Sequence, residues 1–162
     1  MKLAIILLAI LSLGFTNWHT QSDIVVNHTP VYGDEEFQDK VRGYLEEVGE
    51  RRGDSKWLYI IDGYNVYFAS SPGCPGAMCA FLHYGTISAV GVQPKLEVSR
   101  EFGAAMVIHE LQHLKDMRRG ERENPDFECW AWEAMQNSAV YSDLKEYEQD
   151  WVGWGVAVSC ES

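Results

Sequence analysis

An α+β domain is what the pattern of this 162-residue chain predicts, and three observations predict it. Apolar residues recur at helical spacing between Asp34 and Arg52. β-Branched and aromatic residues gather between Trp57 and Val92, cut by turn signals. Val98 to Arg118 is apolar on nearly every side, as a buried central helix must be.

Met1 to Phe15 carries one cation, Lys2, followed by an apolar run from Leu3 to Leu13. This is the charged start and apolar middle of a secretory signal, and it is too short for a bilayer, which asks for about 20 apolar residues. Small residues allow cleavage after Gly14 or after Ser22, and the sequence leaves both open. The reading is residues 1–22 as signal and 23–162 as one domain, with no stable membrane anchor once the signal is removed. Residues 23 to 33 read as an extended, turn-rich arm. Asn27-His28-Thr29 within it is a glycosylation sequon, disfavoured by Pro30.

From Asp34 the period is helical, with Phe37, Val41, Leu45 and Val48 on one stripe and Glu35 and Glu36 in the first turn, where the helix dipole favours them. Trp57 to Ile61 and Tyr64 to Ala69 read as strands of a hairpin around Asp62-Gly63. After a Ser/Pro/Gly/Cys loop at Ser70 to Gly76, Met78 to His83 and Thr86 to Val92 complete a short antiparallel or mixed sheet, closed by Pro94. The central helix follows. A charged turn with Gly120 leads to a start signal at Asn124-Pro125 and a last long helix from about Asp126 to Tyr147, while Trp151 to Val158 is left open between strand and loop.

Composition narrows the function. The formal charge is −11, from 13 Lys plus Arg against 24 Asp plus Glu, with no basic block, so nothing would neutralise a phosphate backbone and no nucleic-acid partner is expected. Four cysteines, Cys74, Cys79, Cys129 and Cys160, suit an oxidising compartment. The short interval between Cys74 and Cys79 favours a local bridge, which leaves Cys129 with Cys160. A zinc site made of cysteines is disfavoured, because there is no C-x2-C pair and no His beside one.

Inside the buried helix stands His109-Glu110-Leu111-Gln112-His113, the HExxH pattern. His residues four apart share a helix face and can present two imidazoles to one Zn2+, and the Glu between them projects beside the metal, where it can take a proton from water. With five His in the chain, chance occurrence is far below one. Two imidazoles and a carboxylate are also costly to bury on an apolar helix without a ligand.

On these residues the chain resembles the zincin metallopeptidases: HELQH on a central helix, a small sheet before it, and a carboxylate-bearing helix after it. The metzincin branch continues with Gly and a third His, whereas this chain has Leu114, Lys115 and Asp116, so the resemblance is to the gluzincin type, with a Glu on a later helix as third ligand. Two glutamates compete. Glu128 borders the inward stripe Phe127, Ala131, Ala134, Ser138 and Tyr141, and its segment resembles the E-A-aromatic helix of small zincin-like proteins, with Cys129 in place of Ala. Glu133 lies on the far side but precedes Ala134, close to the thermolysin arrangement. The face rule favours Glu128. The resemblance implies a secreted zinc metalloendopeptidase. Its single catalytic Zn2+ is held by His109, His113 and Glu128 with water at the open position, and Glu110 is the general base toward a peptide or protein substrate. An edge strand within Met78 to Val92 would align that substrate. The alternative is an inactive zincin-like fold serving as a disulfide-stabilised extracellular binding module. Asp116 is expected near the imidazoles, Tyr141 is a candidate oxyanion donor, Trp130 or Trp132 is expected to border a cleft, and His83 reads as structural.

Overall fold

The computed structural model describes residues 22–83 and 87–161. The segment expected to be a signal lies outside them but for Ser22, and so do the cleavage position proposed after Gly14 and His19. The elements run α1 (22–28), β1 (Val31–Tyr32), α2 (Glu35–Glu50), α3 (Lys56–Gly63), β2 (Val66–Ser70), β3 (Met78–His83), β4 (Ile87–Val92), α4 (Arg100–Arg118), α5 (Phe127–Gln136), a 3₁₀ turn (Ala139–Asp143) and α6 (Glu146–Cys160). The class is α+β, as expected.

The sheet has the order β1-β2-β4-β3, with β1, β2 and β4 parallel and β3 antiparallel on β4 from Met78 opposite Val92 to His83 opposite Ile87. β3 is therefore an edge strand. α4 packs against β3, α2, α5 and the 3₁₀ turn, which explains why it is apolar all round. Ile108, Leu111 and Leu114 of α4 are fully buried with Leu45 of α2 and Phe68 of β2. α2 and α4 both start at side-chain caps: Asp34 accepts from the Phe37 amide at 2.9 Å and Ser99 from the Phe102 amide at 3.0 Å. Gly120 ends α4 at φ 79°, a left-handed conformation that glycine adopts without Cβ strain.

Four expectations are corrected. The arm at 23 to 33 is instead α1 followed by β1. Just after α1, Thr29 is buried and its hydroxyl donates to the Val25 carbonyl at 2.7 Å, which occupies the hydroxyl of the sequon. The strand expected at Trp57 to Ile61 is α3. Its buried residues Trp57, Leu58 and Ile61 fall on one helical face, so Asp62-Gly63 ends a helix rather than turning a hairpin, and β2 pairs in parallel with its neighbours. The last helix does not run unbroken to Tyr147. It stops at Gln136, because the buried carboxylate of Asp54 accepts from the Ala139 and Val140 amides at 2.9 Å each and caps a new 3₁₀ turn. Trp151 to Val158, left open by the sequence, lies within α6.

Both disulfides pair as expected, Cys74 with Cys79 (Cα to Cα 5.6 Å) and Cys129 with Cys160 (4.8 Å). Such bridges form and persist on the oxidising side of a membrane, which is consistent with an extracellular protein. Among the described residues no helix is long and apolar enough to cross a membrane.

Candidate metal centre

α4 carries His109 and His113 one turn apart, with their rings edge to face and their Nε2 atoms 3.1 Å apart. α5 brings Glu128 to them: its carboxylate oxygens lie 3.8 Å from His109 Nε2 and 3.4 Å from His113 Nε2. Tetrahedral zinc with ligands at about 2.0–2.2 Å spaces neighbouring donors by about 3.3–3.5 Å, so the three sets of donor atoms already stand close to the spacing that such an ion needs. The three groups meet through contacts with one another, Nε2 to Nε2 between the rings and His113 to Glu128. Both Nδ1 atoms are buried without a partner among the described residues. The rings are instead held by aromatic contact, His113 stacked on Phe127 at 4.2 Å and His109 edge-on to Trp132 at 4.7 Å.

Electrostatics suit a cation. Burial, with His113 alongside and only partly offset by Glu128, depresses the His109 pKa to about 3, so this imidazole is neutral and its lone pair is free. Its contact with Glu128 is therefore no ion pair. The Glu128 carboxyl is held below its ordinary pKa, first by its hydrogen bond with His113, and so is ionised at neutral pH; burial works against that shift. Glu110 differs. Burial pushes its pKa up to about 7, while His113 and a hydrogen bond from the Ala80 backbone N–H pull the other way. Because Ala80 is on β3, this bond ties the carboxylate between the two imidazoles to the sheet edge.

Of the competing glutamates, Glu133 is exposed and lines a different hollow with Lys56, Gln112 and Trp130. Glu128 alone meets the imidazoles. Trp132 does border the cleft and Trp130 does not. Asp116 is buried but accepts from the Gln112 side chain at 2.6 Å and makes no bond to either ring, so it does not orient them. His28 is spent locally, with Nδ1 2.8 Å from the Ile24 carbonyl. His83 lies on β3, with its side chain outside the described atoms. Tyr141 does not line the cavity beside His109 and Glu110, and no other tyrosine among the described residues does. Cys129 and Cys160 approach Glu133 closely, but their disulfide removes the thiolates that a metal would need.

Sequence reasoning missed Phe127 and Trp151. Phe127 was placed on the inward stripe without a role, and Trp151 sat in a stretch with no assigned structure. Trp151 packs edge-on against Trp132 and reaches the site from α6. Gly155 permits this crossing, since a Cβ there would lie 2.5 Å from the Trp132 ring. Comparison with protein-family models, with characterised proteins and with solved structures found no match to any of them.

Proposed function

We propose that this chain is a secreted zinc-dependent peptidase. The observation that carries the reading is the convergence of His109, His113 and Glu128 from two helices around one point, with Glu110, between the two His in the chain, buried and bonded to an edge strand. The zincin-like motif and the apolar Leu3 to Leu13 segment support it from the sequence.

The two Nε2 atoms and the Glu128 carboxylate would hold the ion. Zinc bound there supplies a Lewis acid that polarises a carbonyl and makes water a stronger acid. The remaining work falls to the protein. Glu110, in its ionised form, accepts a proton on a carboxylate oxygen as the water oxygen bonds to the scissile carbon. As the C–N bond breaks, Glu110 returns that proton to the leaving nitrogen. Burial raises the Glu110 pKa, which favours its carrying the proton between the two steps. The Ala80 N–H holds the carboxylate for this exchange, and the rest of the outer edge of β3, with no strand beside it among the described residues, offers main-chain pairing to an extended peptide.

The test is Glu110→Gln, which preserves size and hydrogen bonding. Purified protein should hold one zinc per chain by atomic absorption with and without the substitution. Chelator-sensitive hydrolysis of a peptide library should fall by roughly 100-fold to 10,000-fold in the variant. Equal hydrolysis by both proteins would remove Glu110 as base. Zinc retention with no cleavage by either would favour a non-catalytic binding module.

A further inference from the structure

Beside His109 and Glu110 lies a cavity of about 140 Å³, walled by Met78 of β3, Met106 of α4, Trp132 of α5 and Trp151 of α6, with Ala77 at its rim. Apart from the His109 and Glu110 side, these side chains are apolar. An apolar cavity of about 150 Å³ stays dry and takes up benzene, so this one matches a phenyl or branched aliphatic side chain in size and chemistry. The polar groups that would act on a peptide bond form one end of it.

The cavity does not stop at the surface. Trp151 is 44% exposed, and Tyr147, Trp154 (61% exposed) and Val158 follow at helical spacing on the same face of α6. From Tyr147 to Val158 the stripe runs about 16 Å, the length of roughly five extended residues. Single exposed apolar residues are ordinary, but a continuous aromatic stripe marks a binding surface. Its occupant is indicated by its continuity with the cavity through Trp151: one chain that fills the cavity can lie on the stripe.

We infer that the cavity and the α6 stripe form one track for an apolar stretch of polypeptide, which places a large apolar side chain beside Glu110 and further apolar residues along α6. This rests on the peptidase reading for its catalytic meaning but not for its binding. The substrates so selected are proteins presenting exposed hydrophobic segments.

The test separates binding from cleavage. Four blocked peptides, with Phe or Gly at one position and with or without an apolar five-residue extension, are titrated calorimetrically into Glu110→Gln protein and are offered to wild type for cleavage. Phe over Gly should bind on the order of tenfold tighter, as a hydrophobic pocket allows. Ala77→Phe, which fills the cavity, should abolish that preference, and Trp151→Ala, which removes its outer wall, should reduce it should Ala77→Phe fail to fold. Trp154→Lys should weaken only the extended peptides. Equal binding of Phe and Gly peptides, or a preference unchanged in both cavity variants, overturns the inference. So does a dimer in sedimentation that Trp154→Lys dissociates, because the stripe would then belong to a second copy. Selective binding without cleavage sinks the peptidase reading and leaves the track standing, and cleavage without selectivity does the reverse.

Discussion

α4 and the α5–α6 pair build the same site by opposite means. α4 is one continuous helix whose spacing alone puts His109 and His113 on a common face and Glu110 between them. α5 and α6 contribute Glu128, Phe127, Trp132 and Trp151 only because distant contacts hold two short helices in place: the Asp54 cap, the Cys129–Cys160 bridge, and the Ser99 hydroxyl, which donates to Glu148 at 2.9 Å. The difference teaches that the His109–His113 half of the site is robust by local geometry, whereas the completing half depends on tertiary fastening.

The sharpest break is expected on the α4 side. His113→Ala leaves two candidate ligands and should abolish stoichiometric zinc by atomic absorption while the apoprotein remains folded; full occupancy would dissolve the proposed site. On the other side, replacing both Cys129 and Cys160 by Ala should cost about 4 kcal/mol in denaturant unfolding and loosen zinc as well, since Cys129 adjoins Glu128. Replacing Cys74 and Cys79, which close a much shorter loop, should cost about 2 kcal/mol and leave zinc bound. Equal effects of the two pairs on zinc would show that α5 needs no fastening. Next in size is Glu128→Ala, expected to weaken zinc at least roughly 100-fold by competition with a chelating dye, against a change of about 0.5 kcal/mol or less in stability for exposed Glu133→Ala. The reverse ranking would move the ligand. On the fastening itself, Asp54→Ala frees two amides and should lower stability by about 1–3 kcal/mol in thermal or denaturant unfolding; no loss would mean that the break after α5 is set by its own sequence.

The same division decides what was legible beforehand. HELQH, the first-turn acids Glu35 and Glu36 of α2, and both disulfides follow from residue type and spacing. Glu128 over Glu133 followed from helix rotation, because Phe127 and Ala131 mark the inward face. The end of α5 did not, since the carboxylate that caps the following turn lies 85 residues away in Asp54. α3 was misread because a short apolar run fits either period until its partners are known, and its buried triad Trp57, Leu58 and Ile61 declares itself only against α2, α4 and β2. Trp151 was invisible as a site residue because its reach depends on the close crossing at Gly155.

α6 is clamped at both ends. Near its start the Glu148 carboxylate takes the Ser99 hydroxyl and the Lys145 amide, and at its last residue Cys160 is bonded to Cys129. A helix pinned in this way cannot swing off the cavity as a hinged lid would, on the microsecond-to-millisecond scale of segmental closure. The indole of Trp151 is itself held edge-on by Trp132 and Phe102, so the outer wall of the cavity is a fixed surface rather than a moving one.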